Sequence, residues 1–332
     1  VWRTHTIPGK DEPGAETWKD DKNAKASGGG STWVTGSYDP STNTIVWGVG
    51  NPGPDWDNEY RPGDNLYTDS SLGLDADTGK IKWHHQHTPN DPYDYDSVAE
   101  NVLVDVPGPN NTTLKLALEA DRNGFAYAVD RNSGKFVWGL PFVKKVTWTK
   151  GLDPESGKPV EYDPKQGVQK YNASVTPSRS NKETDICPGN MGGKNWPPTA
   201  YNPNLKLWYI PVIESCNHIK VEESQQDKLK AREFWTGGGP SQNVKITGSV
   251  TAIDVTTGKV AGKAETQFPN LGGILATPDL VFSGQPSGEM IAYDGPFILD
   301  VLVEKHENCF PMIPSGKPHN EMLLGDMEAA ED

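Results

Sequence analysis

The sequence predicts an all-β fold built from propeller blades, about four of them. Three observations predict it. A hairpin pattern ending in Trp recurs along the chain, and a second hairpin pattern accompanies it. The composition, with 35 Gly, 28 Pro, 11 Trp and 11 Tyr in 332 residues, suits many short strands joined by tight turns.

The first pattern runs apolar residue, Asp, a short polar stretch ending in Gly, then an apolar-rich return. It stands as LDADTGKIKW (74–83), VDRNSGKFVW (129–138) and IDVTTGKVAG (253–262). In the first two copies a Trp, Trp83 or Trp138, falls eight residues after the Asp; in the third, Gly262 takes that place. The second pattern is YDPSTNTIVWGVG (38–50), echoed by YNPNLKLWYIPV (201–212). Each reads as a hairpin, with alternating or β-branched strands flanking an Asp/Asn/Gly turn. A repeated aromatic at fixed offset suggests blades, the Trp locking one against the next. An ordinary β-sandwich is the alternative use of the same hairpins. A ring of so few blades would leave edge strands exposed, so the chain is expected to be part of something larger. The stretch GNPGPDWDNEYRPGD (50–64) is too long for a hairpin and reads as a loop at the functional end.

The net charge of −14 argues against nucleic acid, whose phosphates need a basic face, and would suit a basic protein partner better. No apolar run reaches membrane-spanning length. The chain opens VWRTHTIPGK, with neither Met nor a signal peptide, and residue 1 is expected to be a truncation or processing point. Cys187, Cys216 and Cys309 form no CxxC pair, so a zinc site is not expected.

The stretch TPNDPYDYDSV (88–98) holds Asp91, Asp94 and Asp96, with Glu100 just beyond. It is either a solvated acidic turn or a set of oxygen ligands around a metal ion. Four positions stand out around it: Trp33 in GGGSTWVTG, Asn51 in WGVGNPGP, the YDYD aspartates, and Arg122 in EADRNGF. Singly, each has a plain structural use as core aromatic, turn residue or surface ion pair. Together they resemble the quinoprotein alcohol dehydrogenases, eight-bladed propellers that bind pyrroloquinoline quinone (PQQ). The separations of 18 residues from Trp33 to Asn51, 43 to Asp94 and 28 to Arg122 match that family, as do GGGSTWVTGSYDP, GNPGPDW, RPGDNLYT, DRNG and GGKNWPP. The resemblance covers about residues 1–294 and implies a partial eight-bladed propeller.

By the same resemblance, Trp33 is the flat floor under the quinone. Asn51 and Asp94 supply oxygen ligands to a hard cation, and Asp94 is the general base for the alcohol proton. Arg122 holds positive charge near the quinone oxygens, and Ser31, Asn195 and Trp196 are further cofactor contacts. Asp96 stands where the lanthanide-dependent members carry an additional carboxylate and calcium-dependent members a small uncharged residue. A lanthanide is therefore expected ahead of calcium. If residues 94–96 form a strand, both aspartates face one ion. Cys187 and Cys216 match positions that pair in the family, which implies the periplasm for the parent protein; Cys309 would stay free. The implied activity is oxidation of a primary alcohol to the aldehyde, with a periplasmic cytochrome c as electron acceptor; a homodimer of the intact parent is compatible with the family.

Two departures qualify the resemblance. The family's earlier blades, with further metal and cofactor contacts, have no counterpart here, so the chain alone is expected to be inactive. After Tyr293-Asp294, GPFILDVLVEKHENCFPMIPSGKPHNEMLLGD resembles the C-terminus of the acetolactate synthase catalytic subunit, and residues 295–332 carry eight acids against two bases. A chimera joined near Asp294 is expected, with domains 1–294 and 295–332. The competing readings are a non-catalytic propeller scaffold and, from the tail only, an acetolactate synthase fragment.

Overall fold

The computed structural model describes residues 1–20, 23–222, 235–242, 245–294 and 297–302. Four antiparallel four-stranded sheets follow one another along the chain, each meandering in sequence order. The first holds β1 (Ser37–Asp39), β2 (Thr44–Val49), β3 (Ser70–Asp75) and β4 (Ile81–Gln86). The second holds β5 (Val102–Pro107), β6 (Thr113–Ala120), β7 (Phe125–Asp130) and β8 (Phe136–Pro141).

The third sheet is interrupted. Its order is β10 (Ala200–Asn202), β11 (Leu207–Glu214), β14 (Thr247–Asp254) and β15 (Lys259–Thr266). Between β11 and β14 the chain leaves to form β12 (Asn217–Val221) and β13 (Gly238–Gln242), which join β9 (Glu183–Ile186) in a separate three-stranded sheet. The fourth sheet is β16 (Ile274–Ala276), β17 (Val281–Gly284), β18 (Glu289–Asp294) and β19 (Phe297–Leu302). β19 pairs with β18 beyond the boundary expected at Asp294. Residues 303–332, most of the expected second domain and Cys309 with it, lie outside the described residues.

The repeated turn has one physical basis in all three copies. Asp75, Asp130 and Asp254 each use Oδ1 to accept the backbone N–H and hydroxyl of Thr78, Ser133 and Thr256 respectively. The glycine that follows, at 79, 134 or 258, has φ of 71°, 70° or 61°, a left-handed conformation costly for side chains with a Cβ. It also gives room to an indole. A Cβ on those glycines would lie 2.3, 2.7 and 2.8 Å from ring atoms of Trp2, Trp83 and Trp138. Trp83 and Trp138 are thus the expected lock, each a ring of one blade laid on the hairpin turn of the next, while Trp2, ahead of the first described strand, covers the first turn. Trp83 secures its contact with a 3.0 Å bond from Nε1 to Arg131 O. A register shift recurs just before the turn in all three blades, at Gly73/Leu74, Ala128/Val129 and Ala252/Ile253.

Facing sheets bury their apolar sides between them. Leu116, Leu118, Ala126 and Ala128 of the second sheet meet Trp208, Ile210, Val212 and Ile253 of the third. Val46 and Trp83 meet Ala117 and Val129. A separate aromatic core of Tyr93, Tyr95, Phe125, Tyr127, Trp148 and Tyr171 lies where the long loops cross, and that core positions the site.

Candidate cofactor and metal site

Three loops bring the singled-out residues together. Residues 28–33 run antiparallel to the segment leaving β2: Gly30 N–H donates to Asn51 O and Gly50 N–H to Ser31 O, both at 2.8 Å. The absence of a side chain at Gly50 matters here. A Cβ would sit 2.3 Å from Asp96 Oδ1 and 3.0 Å from Ser31 Oγ, so glycine lets the acidic loop close on this one. Asn51 N–H then donates to Asp96 Oδ1 at 3.0 Å.

The acidic loop is not a strand, contrary to the expectation for residues 94–96. Asp91 prevents it by capping the backbone, its two carboxylate oxygens accepting the N–H groups of Tyr93 and Tyr95 at 2.9 and 2.8 Å. Asp94 consequently takes φ of 62°. The alternation that a strand would impose survives for another reason: Tyr93 and Tyr95 are both buried in the aromatic core, their ring centroids 5.2 Å apart. Asp94 and Asp96 sit close enough for their charges to oppose one another.

Arg122 lies in the tight turn between β6 and β7, which Asp121 and Asn123 cap. Its Nη2 is 3.1 Å from Asp96 Oδ2, and its Nη1 donates to Asn190 O and Asp94 O at 3.2 and 3.4 Å. Its guanidinium carbon stands 5.7 Å from the centre of the Trp33 ring, which is 47% exposed. The loop through residues 187–196 rests on Arg122, with Gly193 N–H donating to Arg122 O at 2.8 Å. Cys187 and Cys216 form a disulfide that tethers this loop to the end of β11. Within it, buried Lys194 pairs with Glu100 at 2.8 Å, and Asn195 folds its amide onto Met191 O and Trp196 N–H. Trp196 is 57% exposed. The structure therefore brings together Asn51, Asp94, Asp96, Arg122 and Trp33. Ser31 touches this group through its backbone, and Asn195 and Trp196 stand on the loop packed against it.

The electrostatics of the group call for a cation. Burial, then the charge of Asp96, pushes the Asp94 carboxyl well above the usual range, and Arg122 offsets this only in part. Burial raises Asp55 to about 6 despite a 2.9 Å bond from Asn51 Nδ2. Among the described residues, no hydrogen bond reaches the Asp94 carboxylate or Asn51 Oδ1. Hard oxygen donors crowded beyond what one arginine neutralises suit a di- or trivalent ion. An exposed indole beside a fixed guanidinium suits a flat anionic quinone. The residues present thus fit both groups.

Sequence reasoning missed several buried or half-buried polar residues. Asp55 went unremarked inside GNPGPDW, and Arg61 inside RPGD. Arg61 is fully buried and donates to Pro54 O at 2.9 Å, to Asp55 O at 3.2 Å and to Asp91 O, so it binds the two acidic loops to each other. Deeper, His87, Glu119 and Asp121 bring ligand-type atoms within 4.8 Å of one another. Ser71 bridges His87 and Glu119, while Ser97 bonds Asp121, so this group reads as an internal hydrogen-bond network. Nothing in the local patterns distinguishes these side chains from surface ones.

Comparison with known proteins shows the family to which the chain belongs. Residues 1–150 match the family model described as the PQQ β-propeller domain of glucose/ethanol/alcohol dehydrogenase. Quinoprotein alcohol dehydrogenase PedE of Pseudomonas putida is 39% identical over 295 residues, covering 86% of this chain and 45% of the relative. Methanol dehydrogenase [cytochrome c] subunit 1 of Methylorubrum extorquens is 34% identical over 292 residues, covering 85% of this chain and 44% of the relative. Among solved structures, a europium-containing methanol dehydrogenase superposes with a TM-score of 0.74 at 28% identity, over 89% of this chain and 50% of that one. The chain spans about half the length of the curated relatives it matches.

Proposed function

We propose that this chain, whose four blades are those of a quinoprotein alcohol dehydrogenase propeller, contributes part of the active site of a PQQ- and metal-dependent enzyme that oxidises primary alcohols to aldehydes. The single observation behind the reading is the convergence of Asn51, Asp94, Asp96 and Arg122 beside the exposed Trp33 ring. When bound, the quinone supplies a two-electron acceptor and the metal ion a Lewis acid.

The chain's own residues supply the rest. Asp94 would take the hydroxyl proton on its carboxylate, which no hydrogen bond among the described residues occupies. Arg122 offers fixed positive charge where negative charge develops, and its pairing with Asp96 and Asn190 O keeps it from turning away. Trp33 gives a flat apolar surface under the ring system, with Trp196 and Asn195 on the neighbouring loop. Asn51, Asp94 and Asp96 would hold the ion, and the carboxylate count favours a lanthanide over calcium.

Electrons would pass to a cytochrome c, the acceptor named for the methanol dehydrogenase relative. The disulfide supports an oxidising compartment, which for this reading is the periplasm. Because the chain spans about half the length of such relatives, turnover is assigned to a longer protein that completes these blades, and little to the 332 residues alone. The test is dye-linked oxidation of short primary alcohols by the completed protein, reconstituted with PQQ and either La³⁺ or Ca²⁺. Turnover that is lost in Asp94→Asn supports the reading. Absence of PQQ-dependent turnover with either metal, or full activity in Asp94→Asn, overturns it.

A further inference from the structure

Asn51 and Asp55 face each other across the cis-proline loop that follows β2. Asn51 Nδ2 donates to Asp55 Oδ1 at 2.9 Å and, more weakly, to Pro52 O at 3.4 Å. Both partners are pure acceptors, so a reversed amide would set Oδ1 against a carboxylate and a carbonyl oxygen. The orientation is therefore decided by hydrogen bonding to two acceptors, and Oδ1 lies on the side of the amide away from Asp55. The backbone leaves little slack for that side chain to escape. Asn51 N–H is bound to Asp96 Oδ1, and Asn51 O accepts from Gly30. Arg61 holds the carbonyls of Pro54 and Asp55 together with that of Asp91.

We propose that Asp55 is a positioning residue of the metal site: its carboxylate holds the Asn51 amide so that the oxygen, and not the NH₂ group, is presented to the ion. The inference rests on the reading that Asn51 is a metal ligand. An unheld amide is free to turn its NH₂ toward the cation, where it repels rather than coordinates. Groups that orient metal ligands in this way change affinity by about 10- to 100-fold when removed. Asp55 is not needed as a ligand for this, since its Oδ1 is already occupied by the amide it orients.

The experiment is titration of the completed protein, with and without substitutions in this chain, by Tb³⁺, read by luminescence sensitised through the protein's aromatic residues. Asp55→Ala is expected to bind Tb³⁺ about tenfold more weakly or worse. Asp55→Asn keeps an acceptor for Asn51 Nδ2 and is expected to stay within about threefold of the unsubstituted protein. In an Asn51→Ala background, Asp55→Ala should cost nothing further, because the group it positions is gone. Equal affinity of Asp55→Ala and the unsubstituted protein overturns the inference. So does Asp55→Asn falling as far as Asp55→Ala, which would make the charge itself, or direct ligation, the role of Asp55. Should the alanine variant not fold, Asp55→Ser, whose shorter side chain no longer reaches Asn51 Nδ2 as the carboxylate does, takes its place with the same expectation. No Tb³⁺ binding by the unsubstituted protein would sink the metal site and the inference together, whereas the other failures leave the metal site standing.

Discussion

Asp96 uses both its oxygens inside the protein, and this determines what its replacement does. Oδ1 accepts Asn51 N–H at 3.0 Å, and Oδ2 lies 3.1 Å from Arg122 Nη2, with the two side chains 10% and 13% exposed. Truncation to alanine strips a mostly buried arginine of its carboxylate, an effect of about 3–5 kcal/mol for a buried pair. It also leaves the Asn51 N–H without an acceptor, at about 1–3 kcal/mol. Both losses disturb the site whatever metal it holds. Asp96→Asn differs in one respect only: its amide oxygen can still accept Asn51 N–H, but its NH₂ then stands where Oδ2 faced Arg122 Nη2, so the arginine loses its carboxylate in both variants. In the completed protein, Asp96→Asn should therefore lower La³⁺ affinity by about 10- to 100-fold and cost Ca²⁺, which needs less negative charge, less than it costs La³⁺. Asp96→Ala should impair binding of both ions and turnover with both. Calorimetric titration of each ion, paired with dye-linked turnover, reads the difference. If Asp96→Ala leaves La³⁺ affinity and turnover unchanged, Asp96 is neither ligand nor anchor; if Asp96→Asn costs Ca²⁺ as much as La³⁺, its charge does not discriminate the ions, and in either case the reasoning fails.

Three further outcomes follow from the fold. Trp83 is 6% exposed, fills the gap over Gly134 and donates to Arg131 O, so Trp83→Ala should cost about 3–5 kcal/mol in urea unfolding and Trp83→Phe about 1–2 kcal/mol; a loss under about 1 kcal/mol for the alanine variant would mean the indole does not lock the blades. Burial alone would raise Asp39, but hydrogen bonds from Ser41 and Thr42 and the Arg131 pair bring it down to about 2. Its contribution is thus complete above the unfolded value near 3.9 and is lost as pH falls toward about 2, so Asp39→Asn should cost about 1–2 kcal/mol at pH 7 and nothing at pH 2, unless unfolding curves at the two pH values shift equally. Cys187 and Cys216 should appear linked in non-reducing peptide maps, and their separation of 29 residues makes the bond worth about 3–4 kcal/mol; a map with both thiols free would contradict the pairing.

The blades were legible because their physics is local. Asp75, Asp130 and Asp254 cap their own turns, and the glycines that follow need positive φ, so both residue types appear at fixed spacing. A fourth copy went unread: Asp153 caps Ser156 and Gly157 has φ of 71°, but Phe136 rather than Trp covers it, and the turn closes only an isolated bridge between Leu152 and Pro159. The insertion of β12 and β13 into the third blade was not readable either, since pairing across such a distance is recorded in no local pattern. The site residues were legible through family resemblance alone. Their loops have no periodicity, and the strand expected at residues 94–96 failed because Asp91 captured the backbone first.

Arg61 shows why such a site is invisible to pattern yet sharply defined in space. A fully buried guanidinium is costly, and burial pushes its proton affinity down against the nearby charges of Asp91, Asp69, Asp55 and Asp57. Its bonds go to three backbone carbonyls and to the Asn65 amide. Carbonyl acceptors carry little side-chain identity, so a sequence holds no complementary residue to look for. Yet those carbonyls belong to the two loops that carry Asn51 and Asp55 on one side and Asp94 and Asp96 on the other. One cation inside the protein thereby sets the spacing of two acidic loops before any ion arrives between them. If these side chains are the ligands proposed above, they would meet a metal without reorganising, which is the condition under which a site can discriminate ions by charge and size.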